Sequence, residues 1–99
     1  MKLVVEKDNK KTVSIDDIDK YKTYAYAGVR DVYKLHRVST RPERYAFVSL
    51  SDSLYYANGI FDTMKDAIGH CMASNDEVYE FNNPADFCQW ALDKYKELK

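Results

Sequence analysis

The sequence predicts a small α+β domain: an antiparallel β-sheet of about four to six short strands packed by two C-terminal helices. Three observations lead there. The first half carries short runs rich in Val, Ile, Thr and Tyr, separated by turn residues, which is the pattern of strands. The second half holds two segments with apolar residues at helical spacing, each opened by a capping residue. The chain has 99 residues, 45% of them apolar and 31% charged, which suits one modest core and therefore a single domain over residues 1–99.

The elements follow in order. LVVE and TVSI read as two strands around the polar KDNKK, with Asp8-Asn9 supplying the turn. Between Ser14 and Val38 two periodicities compete. Ile18, Tyr21, Ala25, Val29, Val32 and Leu35 recur at helical spacing, and Ser14 with Asp17 could form a capping box. Yet TYAYAGV and VYKLHRV alternate as strands do, and Gly28 interrupts a helix. The preferred reading is a short helical turn near residues 16–21, then strands near 23–29 and 32–38. Pro42 marks a turn in STRPER. YAFVSL follows as a strand with Tyr45 and Phe47 on one face and Ala46, Val48 and Leu50 on the other, apolar on both sides and hence central. LYYANGIF returns antiparallel, with Asn58-Gly59 as a turn or a bulge. Asp62-Thr63 caps a helix whose Met64, Ala67, Ile68, Cys71 and Met72 share a face, and Asn75-Asp76 ends it. EVYEF is a strand. Asn83-Pro84 opens the last helix, with a stripe of Phe87, Trp90, Ala91, Tyr95 and Leu98, Cys88 and Leu92 beside it, and Lys94, Lys96 and Lys99 at its negative end.

Composition excludes several function classes. No apolar run approaches the ~20 residues of a membrane span. The N-terminal MKLVVEKDNKK has a charge at Glu6 and no small-residue cleavage site, so it does not read as a signal peptide. Cys71 and Cys88 belong to no CxxC and no zinc spacing, which points to a cytoplasmic protein with reduced, buried thiols. DDID, with Asp16, Asp17 and Asp19, lacks the calcium-loop spacing and its glycine. Three scattered glycines, Gly28, Gly59 and Gly69, do not make a phosphate cradle. Ser51, Ser53, Cys71, His36 and His70 stand in no nucleophile motif, and the adjacent His70 and Cys71 diverge on their helix by ~100°. The expectation is a non-enzyme with no cofactor and no metal.

Binding is what remains, and the charge distribution frames it. Residues 1–50 hold eleven Lys/Arg and seven Asp/Glu, a net +4; residues 51–99 hold four and nine, a net −5. The basic segment DVYKLHRVSTRPERY, with Arg30, Tyr33, Lys34, Arg37, Arg41, Arg44 and Tyr45, combines phosphate-pairing cations with rings able to stack on bases. On a strand, Lys34 and His36 face one way and Tyr33, Leu35 and Arg37 the other, which splits the cations; on a helix, Arg30, Lys34 and Arg37 form one ridge. A second candidate surface joins Tyr55 and Tyr56, at least one of which a strand must expose, to the acidic Asp76, Glu77, Glu80 and Asp86.

In its general character (compact, rich in tyrosine with nine of them, poor in motifs, free of cofactor signals) the chain resembles the small accessory proteins of phages and mobile elements. The resemblance spans the whole chain and rests on no specific residue. It implies a non-catalytic protein-binding module that blocks a host or defence enzyme acting on nucleic acid. The alternative is direct DNA or RNA binding through residues 30–45.

Overall fold

A computed structural model of the protein describes residues 3–5, 8–12, 14–29, 31–52, 54–74 and 77–97. Seven strands form one sheet: β1 (Leu3–Val5), β2 (Asp8–Thr12), β3 (Thr23–Ala27), β4 (Val32–Thr40), β5 (Glu43–Ser49), β6 (Tyr56–Phe61) and β7 (Val78–Phe81). Their order across the sheet is β2-β1-β7-β3-β4-β5-β6. The five strands from β7 to β6 are antiparallel, as expected. The N-terminal hairpin extends this sheet by a parallel pairing of β1 with β7, Leu3 opposite Val78. Helices α1 (Met64–Ala73) and α2 (Pro84–Glu97) complete the α+β domain.

Side-chain alternation decides what each face of the sheet meets. On one face Tyr24, Tyr26, Leu35, Phe47, Ala57 and Val78 close over Ala67, Ile68 and Cys71 of α1. On the other, Ala25, Val32 and Phe81 receive Phe87, Trp90 and Ala91 of α2. The helices thus lie on opposite faces. TYAYA explains how both fit: its tyrosines fill the α1 side, and its alanines leave room for an aromatic group on the α2 side. There Phe81 lies 5.1 Å from Trp90 and 5.5 Å from Phe87, centroid to centroid.

The helix ends follow their capping residues. Thr63 accepts the Asp66 N–H at 3.0 Å, and Asn83 accepts the Asp86 N–H at 2.9 Å. The competition within residues 14–38 goes to the strands, preceded by a single 3-10 turn at Ile15–Asp17. Asn58 and Gly59 have φ of 63° and 90° and sit at a register shift between β5 and β6, so they form a bulge rather than a turn.

Three expectations need correction. The second N-terminal strand is Asp8–Thr12, so Asp8-Asn9 lie within it instead of in the turn. A polar strand of this kind is stable at a sheet edge, where backbone pairing holds it and charged residues discourage further pairing. Cys88 is exposed, because it falls beside the buried stripe of α2; only Cys71 is buried. Leu98 and the helix end at Asn75-Asp76 lie outside the described residues.

Core residues and exposed helix residues should respond very differently to truncation. Phe47→Ala, at a side chain buried on an interior strand, should lower unfolding free energy by about 3–5 kcal/mol. Leu92→Ala, on the outer side of α2, should stay within about 0.5 kcal/mol. Urea denaturation checks both, with an unchanged slope showing that only stability has moved.

Candidate binding surfaces

Three surfaces carry the residues singled out by sequence. The first is built by the turn from β5 to β6. Asp52 organises it: its carboxylate accepts the Leu54 N–H at 3.0 Å, and its carbonyl accepts the Tyr55 N–H at 3.0 Å. With these two N–H groups held by Asp52, the Leu54 and Tyr55 side chains are exposed. Tyr55 also ends a row of rings running up from the core: Phe47 to Tyr26 at 5.0 Å, Tyr26 to Tyr33 at 5.0 Å, and Tyr33 to Tyr55 at 6.0 Å. Tyr56 and Ile60 follow on β6, which is the last strand of the sheet. Leu50, Leu54, Tyr55, Tyr56 and Ile60 are between 37% and 87% exposed. Residues 50–64 around them include two aspartates, Asp52 and Asp62, and no Lys or Arg.

The second surface is the basic segment. Because it is a β4–β5 hairpin, its cations divide between the two faces, as the strand reading anticipated. Lys34 faces α2 and lies 6.0 Å from the Phe87 ring, where burial lowers its pKa. Tyr33 is taken into the row of rings on the α1 face. Arg37 pairs with Glu43 at 3.4 Å, and the Tyr45 hydroxyl donates to the same carboxylate at 3.2 Å. Arg44 lies 3.6 Å from Asp62. Arg41 is at the hairpin turn, and Arg30 lies outside the described residues. The hairpin is therefore less electropositive than its sequence.

The acidic set disperses further. Glu80 is not a surface group: at 3% exposure, it accepts the Tyr24 hydroxyl at 2.7 Å and Lys22 at 3.4 Å. EVYEF pairs with β3, and this register turns Glu80 onto the α1 face beside Tyr24. Burial pushes the Tyr24 phenol well above its ordinary pKa, against the Asp19 N–H bond and with the help of Glu80. Glu77 is exposed and accepts from the Tyr79 hydroxyl, and Asp86 belongs to the Asn83 cap of α2. Asp76 lies outside the described residues.

A further group, gathered around Asp31, was not anticipated as a unit from the sequence. Asp31 accepts from the Ser49, Ser51 and Tyr95 hydroxyls and from the Val32 N–H, clamping α2 to the ends of β4 and β5. Burial works to raise the Asp31 pKa, but these four donors outweigh it and hold the carboxyl at about 2. Burial and then the Asp31 charge push the Tyr95 phenol up to about 12. The hydroxyls of Ser49 and Ser51 are engaged as donors to a carboxylate, which is a structural arrangement. Among the described residues, no three His, Cys, Asp or Glu side chains are placed to hold a metal ion.

Sequence reasoning selected Tyr55 and Tyr56 but missed Leu50, Leu54 and Ile60 around them. The available signal was the uncharged run LYYANGIF in a chain that is 31% charged. It also passed over Lys20, Tyr21 and Lys22, which face the hairpin across a cleft. No protein-family model, curated protein or solved structure matches the chain.

The Asp31 clamp gives stability a pH signature at both limits. A carboxyl with a depressed folded pKa contributes fully above its unfolded value near 3.8, and the contribution is lost as pH falls towards 2. A phenol with a raised folded pKa contributes fully below its unfolded value near 10, and this is lost as pH rises towards 12. Tyr95→Phe should flatten the alkaline loss and soften the acid one, whereas Asp31→Asn should remove the acid loss due to this group. Thermal melts between pH 2 and 11 (about one unit apart) distinguish the two variants.

Proposed function

We propose that the protein is a non-catalytic protein-binding module whose contact surface is the β6 edge and the turn that leads into it. The observation that carries this reading is the concentration of exposed apolar residues there: five of them, Leu50 to Ile60, lie within one turn and one edge strand. Scattered exposed apolar residues are ordinary on a monomer, but a concentration of them on an edge strand and its turn is a feature of contact surfaces. Tyr55 and Tyr56 supply the rigid, amphipathic rings that dominate interface energetics.

The partner fits an enzyme that acts on nucleic acid, which the chain would inhibit as small phage or mobile-element accessory proteins do. Such an enzyme presents basic surface, and the turn here carries Asp52 with no Lys or Arg from residue 50 to 64, while Asp62 at the far end of β6 pairs with Arg44 of β5. Direct DNA or RNA binding through the hairpin is the second reading. It rests on Lys34, Arg37, Arg41 and Arg44, but Glu43 and Asp62 already engage two of these cations.

The test is capture from bacterial lysate with and without nuclease, followed by assay of the captured enzyme. The double variant Leu54→Glu/Tyr56→Glu should weaken retention by at least about tenfold while leaving the circular dichroism spectrum unchanged. Retained enzyme should lose its activity on nucleic acid as the wild-type chain is added. Loss of all captured material with nuclease, or a steep fall in retention with salt that tracks Arg37→Glu or Arg41→Glu, would replace this reading with the second.

A further inference from the structure

A separate site lies at the opposite end of the sheet, where β3 begins. β3 pairs with β4 only over Val32–Lys34, whereas β4 continues to Thr40. The register, continued, sets Thr23 opposite His36, so β4 runs past the start of β3 from Arg37 to Thr40, with β5 on one side and no strand on the other among the described residues. The overhang borders an open cleft of about 520 Å³ lined by Lys20, Lys22, Lys34, Arg37, Glu43 and Tyr45, together with the 85%-exposed Tyr21. Lys34 belongs to the α2 side, so the α1 side of the cleft presents Lys20, Lys22 and Arg37. Glu43 pairs with Arg37 and Glu80 beneath with Lys22, which leaves the lining positive by Lys20. Lys20 is poised 5.2 Å above the Tyr21 ring.

We infer that this cleft binds an extended acidic peptide segment, added as a strand beside the β4 overhang in line with β3. Two features combine to select that ligand. The free edge offers both N–H donors and C=O acceptors at the repeat of a strand, and only another peptide backbone answers both. A nucleic-acid backbone offers phosphate oxygens that accept but do not donate, and so leaves the edge carbonyls without partners. The charge of the walls then selects among peptides: a strand of alternating acidic residues directs them onto the face carrying Lys20, Lys22 and Arg37, and its other residues point to the opposite face. The four overhanging residues, Arg37 to Thr40, match a short strand. The site shares no residue with the apolar β6 edge, so it stands or falls independently of the function proposed there.

Fluorescence anisotropy with a fluorescein-labelled octapeptide of alternating Glu and Val tests the inference. Controls are the Lys–Val counterpart, a Glu–Val peptide N-methylated at alternate residues, and a labelled oligothymidylate. The acidic peptide should bind, the basic one should not, and N-methylation should weaken binding by about tenfold or more, because it removes strand pairing and keeps every charge. Lys20→Glu/Arg37→Glu, both at exposed positions, should weaken it by about tenfold or more, whereas Leu54→Glu/Tyr56→Glu should leave it unchanged. No binding of the acidic peptide, equal binding of its N-methylated form, or preference for the oligothymidylate would each overturn the inference.

Discussion

The architecture depends on one constraint at its centre: β3 is buried on both faces, with a helix above and a helix below. A strand in that position must send large side chains one way and small ones the other if both helices are to approach. Thr23–Ala27 does so with Tyr24 and Tyr26 against the α1 layer and Ala25 and Ala27 against the α2 layer. The consequence reaches outward in both directions. The tyrosine side becomes a row of rings that continues to Tyr55, while the alanine side admits the Phe81–Phe87–Trp90 group that seats α2. Exchanging large for small on this strand would overpack one face and hollow the other.

The same strand shows why a buried charge can sit in so small a domain. Glu80 enters the α1 layer because β7 pairs with β3 in a register that sets it opposite Tyr24. The carboxylate then has a phenol donor and an ammonium group within reach, which meets the requirement that a buried charge be hydrogen-bonded and paired. Asp31 is treated similarly at the other side of the sheet, with four donors among the described residues. The two carboxylates tie segments distant in sequence, 56 residues apart for Tyr24–Glu80 and 64 for Asp31–Tyr95.

Legibility in the sequence follows locality. The helical half was readable because Thr63 and Asn83 cap helices whose apolar stripes begin within one turn of them. β3 and β4 were readable through their period of two, despite a competing helical pattern, and Gly28 is where that pattern breaks. Features that depend on distant partners were not. Nothing near Leu3 announces that it pairs with Val78, and nothing in EVYEF indicates that its second Glu is an interior group. The polar DNKKT carries little strand signal of its own, being held by pairing at an edge. For the candidate surfaces, the two tyrosines were visible as residues, but the apolar group around them required knowledge that β6 ends the sheet. Likewise the basic segment looked stronger as a sequence, since Glu43 and Asp62 reach its arginines only once the hairpin closes.

The separation of the two faces has an optical consequence. The chain contains one tryptophan, Trp90, and it is packed in the α2 layer against Tyr79, Phe81 and Phe87. Its emission therefore reports the seating of α2 and is set apart from the opposite layer by the thickness of the sheet. The α1 layer has its own chromophores in Tyr26, Tyr33 and Tyr55, whose neighbouring rings contribute to near-ultraviolet ellipticity. Because Tyr79 and Tyr95 also lie in the α2 layer, the informative comparison is a change of ellipticity that leaves Trp90 emission unaltered, which points to the tyrosine row on the α1 side.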